Sequence, residues 1–134
     1  MDKELLREFL EKKNIFAVVG VSRNPEKYGN KVYRDLKGAG YTVYPINPNA
    51  VRINGDVYYH SLAELPERPD IVDMVIPPRV TETLVRECKK LGIGKVWMQP
   101  GSESGEAIGF CMRNNIKVLH SICIMVERSR LENG

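Results

Sequence analysis

The chain has 134 residues, 43% of them hydrophobic and 28% charged, with a formal net charge of +3. That length suits one domain with a real core, and the charge is too mild to argue for nucleic acid, although a polyanionic small molecule would be tolerated. Three cysteines without paired spacing argue against a disulfide framework or a zinc site, no apolar run is long enough to span a membrane, and a cytoplasmic, reducing location is the resulting expectation.

Taken in order, the pattern begins with a charged amphipathic helix, Asp2–Lys13, whose apolar face is Leu5, Leu6, Phe9 and Leu10. The run Ile15–Val21 is short, continuous and β-branched, and it leads through Gly20 into Ser22. It reads as a strand buried on both faces. A polar loop, Arg23 to Tyr28, precedes Gly29, and a helix resumes from about Tyr28 to Lys37 with Val32, Tyr33 and Leu36 inward. Gly38-Ala39-Gly40 stops it. Tyr41–Ile46 is a second strand, ended by the turn signal Asn47-Pro48-Asn49. Val51–Tyr59 reads as a loop or short edge strand around Asn54-Gly55. Ser61 and Glu64 have the spacing of a capping box and open a short helix.

Ile71–Ile76 is the next strand, broken by Pro77-Pro78. A helix from Arg79 or Thr81 to Leu91 turns Leu84, Val85, Cys88 and Leu91 inward. Lys95–Met98 is a short strand with the loop Gln99-Pro100-Gly101-Ser102. Helix Glu103–Asn114 and strand Lys117–Leu119 follow. The tail has an apolar stretch, Ile122–Val126, and then a charged end. Strands alternating with helices predict right-handed crossovers: an α/β, Rossmann-like, doubly wound and mainly parallel sheet with helices on both faces.

In such a sheet, ligands bind outside the carboxyl ends of the strands, where strand order reverses. Those ends here are Gly20-Val21-Ser22, Asn47-Pro48, Ile76-Pro77-Pro78, Gln99-Pro100-Gly101 and Leu119-His120-Ser121. Gly and Pro also make ordinary turns, so it is the set rather than any one loop that predicts a cleft. A Gly lets the backbone approach a phosphate, and the free N–H groups of a helix start point at the anion. The first loop is not Gly-x-Gly-x-x-Gly, and Ile46-Asn47-Pro48-Asn49 carries no acidic residue for a ribose, which counts against NAD. No phosphate-binding loop of the Gly-x-x-x-x-Gly-Lys type occurs. Arg23, Lys27 and Arg52 are cations a phosphate-rich ligand would use. No catalytic constellation emerges. His120-Ser121 beside Cys123 is a weak nucleophile-and-base pair, and Asp73, in the middle of IVDMVI, reads as a buried, hydrogen-bonded structural carboxylate.

AVVGVS and then Gly29, YTVYPINPN, IVDMVIPP, VWMQPGSES and CIMVE together resemble the small single-domain CoA-binding proteins, from about Asn14 to Glu127. Their fold is similar to the CoA-binding domain of the succinyl-CoA synthetase α subunit. The resemblance implies coenzyme A held at the strand ends. Gly20, Val21, Ser22 and the loop through Arg23, Lys27, Tyr28 and Gly29 would face the diphosphate. Asn47 and Pro48 would line the nucleotide portion. Ile76, Pro77, Pro78 and Thr81 would wall the adenine or pantetheine arm, with Gln99 and Gly101 beside the cleft. No catalytic or metal-binding residue is implied, and no reaction of its own. A nicotinamide-dependent oxidoreductase is the alternative. An accessory subunit of an acyl-CoA enzyme is a third reading, with a protein partner or a homo-oligomer.

Two further expectations concern single residues. Gly20→Val should block the diphosphate and leave the fold intact. Cys123, just past the last strand, is a candidate for thiol exchange with CoA, with His120 placed to lower its pKa if the turn brings them together. Cys88 and Cys111 lie at helical core spacing and should be inert.

Overall fold

A computed structural model describes residues 2–49, 52–53 and 55–133, with the side chains of 52 and 53 outside the description. The first half holds α1 (Lys3–Phe9), β1 (Ile15–Val19), α2 (Tyr28–Gly38), β2 (Thr42–Ile46) and a two-stranded hairpin, β3 (Arg52–Ile53) with β4 (Asp56–Val57). A 3-10 turn at Leu62–Glu64 leads to β5 (Ile71–Met74), α3 (Pro78–Lys90), β6 (Lys95–Met98), α4 (Gly105–Arg113), β7 (Lys117–His120) and α5 (Ile124–Asn133).

Five strands form one sheet in the order β2-β1-β5-β6-β7, and every pairing in it is parallel. The α/β doubly wound fold expected from the sequence is therefore present. Strand order reverses between β1 and β5, where Phe16 pairs with Ile71 and Val18 with Asp73. That makes the carboxyl edge of β1 and β5 the switch point.

Because strand side chains alternate, each strand feeds two cores. Phe16, Val18, Ile71, Trp97 and Leu119 face α1, α2 and α5, meeting Phe9, Val32, Leu36 and Ile124. Ala17, Val72, Met74, Val96 and Met98 face α3 and α4, meeting Val85, Cys88, Ala107 and Cys111. Trp97 is wholly buried, with its indole N–H on Ile122 O at 2.9 Å and its ring edge-on to Phe9.

Several boundaries differ from the sequence reading for physical reasons. The first helix ends three to four residues early because the Asn14 side chain donates to the carbonyls of Glu8 and Phe9 at 2.8 and 3.0 Å, taking over its last acceptors. Where a loop or short edge strand was expected, Arg52–Ile53 pairs antiparallel with Asp56–Val57, and Val51 and Asn54 lie outside the described residues. Ser61 makes no side-chain cap, but Glu64 reaches back to accept from His60 N at 3.0 Å. Pro78 begins its helix rather than preceding it, since proline suits the first helical position.

The charged tail is a helix, α5, which the sequence reading left unassigned. Its attachment is a two-pronged ion pair: Arg128 Nε and Nη2 donate to Asp35 of α2 at 2.8 and 2.9 Å. Both side chains are mostly buried, so the pair is partly desolvated and its removal leaves Asp35 uncompensated. Arg128→Ala should cost about 2 kcal/mol in urea unfolding; an unchanged midpoint would show that Ile124 alone holds the helix.

Candidate functional site

The loop after β1 begins with two close backbone approaches. Gly20 has φ +98°, and a Cβ there would lie 2.0 Å from Val75 O, on the segment leaving β5. A Cβ on Gly29 would lie 2.2 Å from Gly20 O. The two glycines thus let three backbones meet at the switch point. This corrects the expectation for Gly20→Val. The added methyls collide with the protein's own backbone, so the variant reports on folding before it reports on any ligand.

The loop itself is pinned from several sides. Gly20 N and Val21 N donate to Ile46 O of β2 at 3.0 and 3.3 Å. Asn47 Nδ2 donates to Val21 O at 2.9 Å and Asn30 Nδ2 to Ser22 O at 2.7 Å. Ser22 Oγ accepts from Asn24 N, and Asn24 Oδ1 from Glu26 N. Asn30 is a buried polar residue on the apolar stripe of α2. Its role was missed in the sequence, where a polar residue on that stripe was the available signal. Val21 is wholly buried and offers the site backbone only. Arg23 and Lys27 are exposed.

Helix ends complete this edge. Asp2 caps α1 and Ser104 caps α4 through side-chain oxygens. The N-termini of α2 and α3 have no side-chain cap; Lys27 and Pro77 stand at their starts. These two helices follow β1 and β5, so their uncapped ends flank the switch point from opposite faces of the sheet. The first N–H groups of α2 have no acceptor within the helix and carry the positive end of its dipole, whereas α3 offers fewer donors, because Pro77 and Pro78 have no N–H and Val80 N donates to Pro77 O at 2.9 Å.

On the α3 side, Ile76 N donates to Ser102 Oγ at 3.0 Å, which ties the β5 and β6 loops together. Pro77 and Pro78 are exposed. Thr81 is buried, and its Oγ1 has no hydrogen-bond partner among the described residues. Pro48 and Gly101 are exposed, Gly101 at φ +95°. The Arg52 side chain lies outside the description.

On the α2 side, Tyr28 departs from its expected place. Its hydroxyl runs inward, to 3.0 Å from Gln99 Oε1 and 2.8 Å from Cys123 Sγ. Burial pushes its ionisation well above the ordinary tyrosine value. Gln99, wholly buried, also accepts from Ile124 N at 3.1 Å and donates through Nε2 to Asp73 Oδ1 at 2.7 Å. Asp73 is the hydrogen-bonded buried carboxylate expected, but only on one oxygen: Oδ2 has no partner among the described residues. Burial pushes its pKa up to about 7, with the Gln99 hydrogen bond opposing the rise. His120 does not reach Cys123: its Nδ1 meets Ser121 Oγ at 2.8 Å on an exposed turn. Cys88 and Cys111 are fully buried, and burial raises their thiols to about 12 and about 11. No group of three or more His, Cys, Asp or Glu suited to a metal occurs among the described residues, and no helix there is long and apolar enough to cross a membrane.

Known proteins bear on this edge. The chain is 34% identical over 105 residues to an ADP-forming acetate–CoA ligase II of Archaeoglobus fulgidus; the match takes in 75% of this chain but spans only 16% of the ligase. A conserved hypothetical protein of Pyrococcus furiosus is 40% identical, with TM-score 0.80, over 85% of this chain and 98% of that one. A hypothetical protein of Pyrococcus horikoshii superposes with TM-score 0.92 at 31% identity, over 98% of this chain and 93% of that one. The family model described as a CoA binding domain matches residues 14–129, nearly the whole described sheet with its crossovers, and the chain belongs to that family.

Proposed function

We propose that this chain binds coenzyme A, free or acylated, in the crevice above β1 and β5, as one folded unit and without a reaction of its own. The observation that carries the reading is the uncapped N-terminus of α2, with that of α3 across the switch point, brought close to it because Gly20 and Gly29 let the backbones pack tightly. The diphosphate takes the N–H groups at the start of α2. Arg23 and Lys27 stand on the same loop and add charge. Asn47 and Pro48 border the nucleotide, with Arg52 nearby in sequence. Ile76, Pro77 and Pro78 wall the other side with Gly101 at the rim, and Thr81 and Gln99, both wholly buried, lie behind them.

Isothermal titration tests this directly. CoA should bind well ahead of NAD, NADP and FAD; preference for a nicotinamide cofactor would replace the reading with an oxidoreductase. Arg23→Ala with Lys27→Ala should weaken CoA about tenfold, the loss of one or two exposed charge-assisted contacts, with the melting curve unchanged. Wild-type affinity in that double variant would move the phosphates elsewhere. The match to one part of a larger ligase favours a second reading, in which the chain supplies a CoA site to a partner chain. A stoichiometric partner at native concentration in size-exclusion chromatography would support it.

A further inference from the structure

Cys123 and Tyr28 pose a problem of proton count. The Tyr28 hydroxyl has one proton and two neighbours able to accept it, Gln99 Oε1 at 3.0 Å and Cys123 Sγ at 2.8 Å. Two arrangements satisfy every atom without moving any heavy one. With a thiol, Cys123 S–H donates to the Tyr28 oxygen, which donates to Gln99. With a thiolate, Tyr28 turns its proton onto the sulfur, and Gln99 Oε1 keeps the Ile124 N–H at 3.1 Å. The Tyr28 hydroxyl can therefore accept from a thiol or donate to a thiolate at this position.

A second, independent observation lies beneath it. Asp73 is wholly buried and turns its carboxyl to the underside of the cluster, where Gln99 holds Oδ1 and Oδ2 has no partner among the described residues. Burial pushes its pKa up to about 7, so near neutral pH this carboxyl can still hold a proton. Cys123 stands directly before the first turn of α5, a ten-residue helix whose first turn also carries the buried Glu127. Finally, Tyr28 is the first residue of α2. Its backbone belongs to the helix start assigned to the diphosphate, and its hydroxyl touches Sγ. One side chain connects the anion site to the thiol.

We propose that Cys123 is a thiol–disulfide exchange site for the disulfide of coenzyme A, with Tyr28 donating to the reacting sulfur; the proposal rests on the CoA reading of the cleft. The Cys123 thiolate attacks one sulfur of CoA disulfide. A bond forms between Sγ and that sulfur, the CoA–CoA bond breaks, and the second CoA leaves as a thiolate. It takes up a proton from solvent, matching the one Cys123 released. Cys123 is oxidised and one CoA is reduced, so no other oxidant is needed. The product is a protein that carries one CoA covalently until a thiol releases it.

The test is intact-mass analysis after incubation with CoA disulfide without reductant, with oxidised glutathione as a second probe. Wild type should gain the mass of one CoA, lost again on adding dithiothreitol. Cys88→Ser and Cys111→Ser should keep the adduct, and Cys123→Ser should abolish it. CoA disulfide should react at least tenfold faster than oxidised glutathione, and Tyr28→Phe should slow the reaction with CoA disulfide about tenfold. Calorimetry of reduced CoA on the wild type, in reductant, separates the two readings. Binding without an adduct, or an adduct on another cysteine, overturns the exchange site and leaves the CoA cleft standing. No binding, with the two disulfides reacting at one rate, overturns both. An unchanged rate in Tyr28→Phe overturns the role given to that hydroxyl.

Discussion

Gly20→Ala should lower stability by about 4 kcal/mol or more, a shift of roughly 12 °C in the melting midpoint for a chain of this size. Two independent costs add at this residue. An L side chain at φ +98° is strained by about 1–2 kcal/mol in itself. The new Cβ then meets Val75 O at 2.0 Å, and that carbonyl cannot swing away freely. Its residue is tied in through Val75 N donating to Val19 O at 2.9 Å, and the next N–H, of Ile76, is held by Ser102 Oγ. Relief requires parting β1 from β5 at the centre of the sheet. Gly38→Ala is the control, because no atom of the described residues lies within 4 Å of a Cβ built there. Thermal melts of the two variants decide the matter. Equal midpoints would mean that the β1–β5 junction yields at no cost, and the account of the switch point would be wrong.

Asp73→Asn should flatten the pH dependence of stability between about pH 4 and pH 7. In the unfolded chain this carboxyl titrates near 3.8, whereas burial raises it to about 7 in the folded protein. Across that window the native state binds a proton that the unfolded state has released. The corresponding stabilisation is fully present below the unfolded pKa and is lost as pH rises through the folded one, amounting to about 4 kcal/mol across the window. Three other carboxylates act with opposite sign and at lower pH. Lys117 holds Glu8 below its ordinary value, Lys37 does the same for Asp56, and Lys12 for Glu132. Their contribution disappears as pH falls through the ordinary carboxylate range. Wild-type stability should therefore peak in mildly acidic solution. In the Asn variant the acid limb should persist while the decline toward neutrality disappears. Denaturant midpoints measured from pH 4 to pH 8 give the answer, and parallel curves for the two proteins would mean that Asp73 keeps its charge when buried.

What the sequence disclosed and what it withheld follows the range of the interactions. Apolar runs such as IVDMVI and the glycine at the end of IFAVVG are local, and they located the strands and carried the family resemblance, whereas the strand order that makes β1 and β5 the switch point did not show in them. Gly29 was likewise marked as special by position alone. The reason for Gly20 was not local: its constraint is Val75 O, fifty-five residues away in the chain. The α5 helix escaped notice because VERSRLEN lacks an apolar stripe, and its anchor is Asp35 on another helix. Tyr28 sat within the expected phosphate loop by adjacency, yet its hydroxyl belongs to Gln99 and Cys123, which are 71 and 95 residues distant. His120, only three residues from Cys123, faces Ser121 instead. Proximity in the chain misassigned the partner that proximity in space supplies.

The interior place of β1, between β2 and β5, governs the order in which this protein can assemble. The strand made first has β2 on one side, completed by Ile46, but its other neighbour does not begin until Ile71. A growing or truncated chain that stops short of Ile71 can form the β1–β2 pair only as a half-sheet. It then presents a row of unpaired N–H and C=O groups beside Phe16, Ala17, Val18 and Val19, all of which are buried in the finished protein. Such an open apolar edge is a template for pairing with another chain. Parallel crossovers also close only through long loops, which slows the step that would cover it. The position best suited to hold a ligand is thus the last seam of the N-terminal half to be sealed, and fragments cut between Asn47 and Asp70 carry that seam exposed.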